Sequence, residues 1–292
     1  MHDLQTDTGD ATIAIDGVEV ARYSVASDVS RVDLSKPHFH PLRTRAGIEI
    51  TGFAPEDHPW HHGLMFAFPR VNGHNLWGGG TFHDLDRGYV VVDDHGRMDH
   101  VRWEEVSSTE ESTRLVEHNA WRGRNEQELL EERREWRVEP VHIGDVDGYL
   151  IDLDTTLINP APFAVALATP AGRGRPDGGY GGLFLRLAVG FTADALIAED
   201  GPVQASGHES RTFVVHGQTA AGEPVTLGLS FRDATGPGAQ KWLYRFEDFA
   251  SIGWAHAYDT DLEVAAHGSL RFAHRLIVLD GHVPAEEVRA AL

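Results

Sequence analysis

Thr12-Ile13-Ala14-Ile15-Asp16-Gly17-Val18-Glu19-Val20 places an Asp-Gly pair between two runs in which apolar side chains recur at every second position. Period-two alternation is the mark of a half-buried strand, and Asp-Gly between two such runs is the strongest short-range hairpin signal. The stretch predicts strand, turn, strand. Further outward, residues 89–92 and 100–106 flank the turn-forming Asp93-Asp94-His95-Gly96, and residues 149–158, 211–216, 224–231 and 270–279 add strand candidates. Many strands punctuated by turns predict an all-β fold, a sandwich or a barrel, of which a large antiparallel β-sandwich is the expectation taken forward.

Helical periodicity is scarce. Residues 126–138 carry the charge content of a helix, but Trp136 and Val138, together with flanking strands, favour a long exposed strand. Pro284-Ala285-Glu286-Glu287-Val288 predicts a short C-terminal helix, with Pro near its first turn and acids complementing its dipole, packed as a lid on a sheet edge. The glycine-rich segment 172–182 does not suit a phosphate loop, because its prolines and the onward residues 183–189 read as loop into strand. With no internal repeat and no linker, residues 1–292 are expected to form one β-sandwich domain.

The composition narrows function. The chain contains no Cys, which removes disulfides, thiolate metal sites and cysteine nucleophiles. Residues 1–10 are acidic rather than cationic and apolar, so no secretory signal is read and a cytoplasmic location is expected. The longest apolar window, 161–168, falls far short of a membrane helix. A formal net charge of -20, without a basic patch, argues against nucleic acid. Oligomeric state is left open.

Nine of the 18 His lie between His38 and His100, which makes that region the expected chemical centre. His38-Phe39-His40 sets two imidazoles on one face of a strand, roughly 6.6 Å apart at Cα. Asp57-His58-Pro59-Trp60-His61-His62-Gly63 then crowds three more beside an indole, with Pro59 fixing the backbone. Imidazole titrates near neutrality and suits proton transfer; neutral imidazole equally suits a divalent metal. Trp60, Trp77 and Trp254 offer flat faces to a sugar ring, and Arg43, Asn75 and Arg186 offer donors to hydroxyls.

Lys36-Pro37-His38-Phe39-His40-Pro41-Leu42, Asp57-His58-Pro59-Trp60-His61-His62-Gly63-Leu64 and Val71-Asn72-Gly73 resemble blocks of an uncharacterised family labelled PmoA-like, or methane oxygenase. Gly96-Arg97 with His100, Leu129-Leu130 with Glu132 and Arg134, and Gly178-Gly179-Tyr180-Gly181-Gly182-Leu183-Phe184-Leu185-Arg186 resemble its later blocks. The resemblance implies the galactose-mutarotase-like supersandwich shared by sugar epimerases, lyases and glycosidase domains. It does not imply methane oxidation, whose membrane-embedded subunit needs segments this chain lacks. The chain departs from the family after Phe231, at residues 232–241, and His256 stands where another polar residue is expected, which adds His256 to the candidates.

The expectation is therefore a carbohydrate-active enzyme of epimerase, lyase or hydrolase type. His40, His61 or His62 serves as general acid or base opposite Glu132; Arg43, Trp60, Asn75, Trp77, Arg186 and His256 bind a small-molecule carbohydrate. One alternative is a metal-dependent lyase or hydrolase with a divalent ion on His38, His40, His58, His61 and His62. Another is a non-catalytic sugar-binding module. No nucleotide cofactor is expected.

Overall fold

In the computed structural model, which describes residues 2–7, 9–233, 237–247 and 249–292, Asp16 and Gly17 take φ of 50° and 80° between the strands Asp10–Ile15 and Val18–Ser24. Positive φ at both central positions is what a tight hairpin turn requires, and Gly17 adopts it without a Cβ penalty. Ile15 then pairs with Val18, which sets Ile13 and Ile15 in the core.

This hairpin belongs to a nine-stranded antiparallel sheet running, in spatial order, His2–Asp7, Asp10–Ile15, Val18–Ser24, His38–Leu42, Leu64–Ala67, Gly182–Arg186, Ser251–Ala255, Lys241–Arg245 and His208–Glu209. A second nine-stranded sheet runs Gly201–Pro202, Thr192–Ala198, Thr212–Gln218, Pro224–Phe231, Ser269–Asp280, Val146–Ile158, Glu128–Ile143, Thr113–Arg122 and Arg97–Ser108. One contiguous apolar core draws on both sheets, as where Phe39 of the first meets Trp136 of the second at 5.0 Å between rings. The fold is the expected all-β antiparallel sandwich.

The charged stretch is strand. Glu128–Ile143 pairs with Val146–Ile158 without a register break from Ile143↔Val146 to Glu131↔Ile158. Leu130, Glu132, Arg134, Trp136 and Val138 are buried while Glu131 and Arg137 are exposed, so one face of the strand is core and its charges lie mostly on the other. Residues 89–92 and 100–106, read as strand candidates on either side of a turn, belong to different sheets. Tyr89–Val90 pairs with Thr81–Phe82, and Arg97–Ser108 pairs with Thr113–Arg122 in the second sheet.

The C-terminal helix, Ala285–Ala290, lies on a sheet face and not on an edge. Its Val288 joins Val214, Ile277 and Leu279 in a small apolar cluster on interior strands of the second sheet. Gly228 lets it approach, since a Cβ there would stand 2.5 Å from Val288. Among the described residues no helix is long and apolar enough to cross a membrane.

Candidate functional site

Because Phe39 points between the sheets, His38 and His40 on either side of it project from the outer face of the first sheet. The same alternation around Leu185, wholly buried, sends Phe184 and Arg186 to that outer face. Cross-strand partners share a face, so Arg186↔Ser251↔Arg245 and Phe184↔Gly253↔Leu243 add Ser251, Arg245 and Leu243. Connecting segments from residues 53–63, 74–90 and 170–181 fold over this surface and enclose a cleft of about 520 Å³. Trp60, Trp77, Tyr89, Tyr180, Phe184 and Phe249 line much of it.

Two imidazoles stand in its wall. His58 and His61 stack with ring centroids 4.7 Å apart and planes 18° from parallel. His58 Nδ1 lies 2.8 Å from Asp57 Oδ2, so it donates its proton there and leaves Nε2 as an acceptor in the neutral ring. Asp57 is also gripped by Arg186, whose Nη2 donates to both carboxylate oxygens at 3.0 and 2.9 Å. Arg186 Nη1 lies 3.4 Å from His61 Nδ1; guanidinium has only donors, so His61 accepts at Nδ1 and carries its proton on Nε2. Neighbouring rings thus present a lone pair and an N–H.

Electrostatics keep both rings neutral at pH 7. Burial lowers the His58 pKa below its ordinary value, with Asp57 opposing in part. His61 is pushed well below, first by burial and then by the charges of His58 and Arg186. Asp57 stays below the usual carboxylate value: partial burial raises it, but the hydrogen bonds from His58 and Arg186 outweigh that. Arg186 also lies over the Phe249 ring, 4.6 Å from its centroid.

Glycines set the positions of this wall. A Cβ at Gly79, where φ is 66°, would stand 2.6 Å from the Trp60 indole, so Trp60 rests on bare backbone. Gly63, φ 48°, follows His61-His62, and a Cβ there would meet the Phe39 carbonyl at 2.0 Å. Gly63→Ala is therefore expected to lower stability by more than about 1 kcal/mol. A thermal melt with an unchanged midpoint would show that the backbone tolerates a side chain at this position.

The structure separates the five His of the sequence expectation into two groups. His38, His40 and His62 gather under Phe53, with ring centroids 5.2, 5.5 and 4.8 Å from its phenyl. His62 is fully buried; His40 bonds Thr51, and His38 bonds the Lys36 carbonyl. His40 and His62 therefore do not take the acid or base position in the cleft. The divalent-metal alternative also fails as drawn: adjacent residues His61 and His62 point apart, and among the described residues no group of three or more His, Asp or Glu side chains is placed to hold an ion.

Other expectations are corrected likewise. Glu132 is 1% exposed between the sheets, where Arg134, Trp121 and Thr155 hold it, and so cannot face an imidazole on the outer surface of the first sheet. Arg43 pairs with Glu19 and Glu49 at the surface. Asn75 is structural: its Oδ1 accepts from the amides of Trp77 and Gly78, and its Nδ2 donates to Gly79 and Thr81. His256 is buried 2.7 Å from His274. Trp77, by contrast, does line the cleft, as floor against Tyr180 and Phe184. In the divergent segment 232–241, residues 234–236 lie outside the described residues.

His61, Trp60 and Arg186 keep their expected neighbourhood, and His58 moves from metal ligand to cleft wall. Sequence reasoning missed Tyr89, Arg175, Arg245 and Phe249 as lining groups. For Arg245 a signal existed, since it lies two residues from Leu243 on one strand face. The loop residues carried none.

An outward-facing cleft of this volume, aromatic with a few convergent polar groups, defines a β-sandwich protein with a site of small-molecule dimensions. The chain belongs to the family of unknown function DUF6807, which it matches over residues 10–292. No curated protein matches it. A solved structure titled "Crystal Structure Analysis of HI1317" overlaps 95% of this chain and 98% of that chain at 9% identity, with a TM-score of 0.31, too low to carry any argument.

Proposed function

We propose that the protein is a carbohydrate-active enzyme with His58 as general base, taking a proton from a sugar hydroxyl in epimerase chemistry, from a sugar C–H in lyase chemistry or from the attacking water in hydrolase chemistry. The observation that carries this is the stacked His58–His61 pair, one ring offering a lone pair and its neighbour an N–H within an aromatic cleft. Two oxygens of one substrate fit such a pair. The proton of a hydroxyl passes to His58 Nε2, and Asp57 stabilises the imidazolium that forms. His61 acts as a neutral donor that polarises a neighbouring oxygen, fixed in its tautomer by Arg186. Trp60 and Phe249 supply apolar faces for the C–H side of a ring.

The test is turnover of a panel of reducing sugars and aryl glycosides, followed by NMR of the anomeric protons and by release of the aryl group. His58→Ala is expected to lose about 10²- to 10⁴-fold in kcat/KM while remaining folded. His40→Ala, which alters a ring outside the cleft, retains activity. Wild-type turnover in His58→Ala, or absence of turnover across the panel with tight sugar binding, overturns the enzymatic assignment; the second result leaves a sugar-binding module.

A further inference from the structure

The guanidinium groups of Arg175 and Arg245 both line the cleft, and the contacts found for them there are with uncharged groups. Arg175 lies over the Tyr89 ring, 5.0 Å from its centroid. Arg245 Nη2 donates to the main-chain carbonyl of Asp177 at 3.1 Å. Among the described residues neither cation forms an ion pair, whereas the third cation at the site, Arg186, is neutralised by Asp57. Both unpaired cations act on the hydroxyls of Tyr89 and Tyr180, which are bonded to each other at 3.0 Å, and offset part of the pKa rise that burial imposes on them.

The chain as a whole carries a formal charge of -20. Its acidic surface repels anions at long range, so an anion enters only where local cations overcome that repulsion. Two half-buried guanidinium groups beside two phenol hydroxyls offer the forked donors that a carboxylate or phosphate accepts. An aromatic sugar site needs no such charge for a neutral hexose.

We propose that the Arg175–Arg245 wall of the cleft is a subsite for the anionic group of the ligand, a carboxylate or phosphate carried by the sugar. The proposal rests on the carbohydrate assignment above for the sugar, and on the two arginines alone for the anion. His58 and His61 then face the neutral part of the same ligand, and Arg175 and Arg245 decide which sugars are held.

The experiment is titration calorimetry of the whole protein with glucuronate, glucose 6-phosphate, glucose and inorganic phosphate, at low and high salt. Glucuronate or glucose 6-phosphate is expected to bind at least about tenfold tighter than glucose, the worth of one charge-assisted hydrogen bond, and to weaken as salt rises. The stronger of the two identifies carboxylate or phosphate as the natural group. Arg175→Gln and Arg245→Gln each lower that affinity about tenfold, and the double variant binds the anionic sugar no better than glucose, with an unchanged far-ultraviolet spectrum. Equal affinity for charged and neutral sugars, or an unaltered preference in the double variant, overturns the anion subsite and leaves the carbohydrate assignment standing. Arginine-dependent binding of inorganic phosphate with no sugar bound supports the anion subsite and overturns the carbohydrate assignment instead.

Discussion

Arg134→Leu is expected to destabilise the protein by about 3–5 kcal/mol, a large share of the stability of an ordinary domain. Arg134 is wholly buried between the sheets, where its Nε and Nη2 donate to the two oxygens of Glu132 at 2.8 and 2.9 Å. Its Nη1 donates to the Tyr23 hydroxyl at 3.1 Å and lies 3.7 Å from Glu117, which Tyr23 and His100 also contact. Burial alone would raise the Glu117 pKa; the His100 hydrogen bond, the Arg134 charge and the Tyr23 hydroxyl together hold it below its ordinary value. Removing the cation leaves two buried carboxylates to be protonated, hydrated or expelled. Arg134→Lys keeps a charge but loses the two-pronged grip on Glu132, so an intermediate loss is expected. Urea denaturation at pH 7 measures both, and a loss below about 1 kcal/mol for the leucine variant would refute the attribution.

Acid is expected to unfold the protein at a pH where most carboxylates are still ionised. Burial lowers the pKa of His38 and of His256 to about 4, and depresses those of His61, His62 and His274 as well. The native state therefore keeps these rings neutral, while the unfolded chain binds protons from about pH 6.5 downward. Stability present above that pH falls as pH falls, and the loss from His38 and His256 continues to about pH 4. Each of those two rings alone accounts for about 3 kcal/mol of that loss, so the two together take a large share of the stability of an ordinary domain. Urea midpoints measured from pH 7 to pH 4.5 should drop steeply below pH 6.5. A flat profile over that range would show that the buried rings are reached by protons without unfolding. In the cleft, protonation of His58, which burial shifts below its ordinary pKa, removes the base.

The sandwich was largely legible in the sequence because strand alternation is local. Ile13, Ile15, Val18 and Val20 announced the opening hairpin, and Trp136 and Val138 marked 126–138 as strand despite its charges. Of the imidazoles concentrated between His38 and His62, His58 and His61 line the cleft. What failed were the assignments that depended on which way a side chain points from its strand. Glu132 resembled a catalytic carboxylate on charge alone, yet its place in the alternation with Leu130 and Trp136 turned it inward to meet Arg134.

Taken by itself, the sequence determined the strands, the Asp16-Gly17 turn, the terminal helix and the set of side chains capable of proton transfer. Tertiary structure alone decided which of them share a cavity. His61 and His62 are covalent neighbours, but one stacks on His58 in the cleft wall while the other is sealed beneath Phe53. Arg175 from a loop and Arg245 from a strand, far apart in sequence, line one cleft, and Arg186 pairs with Asp57 of its wall. The reason is that period-two geometry fixes which residues of a strand share a side, whereas the pairing of strands and the loops that cover them fix what that side faces.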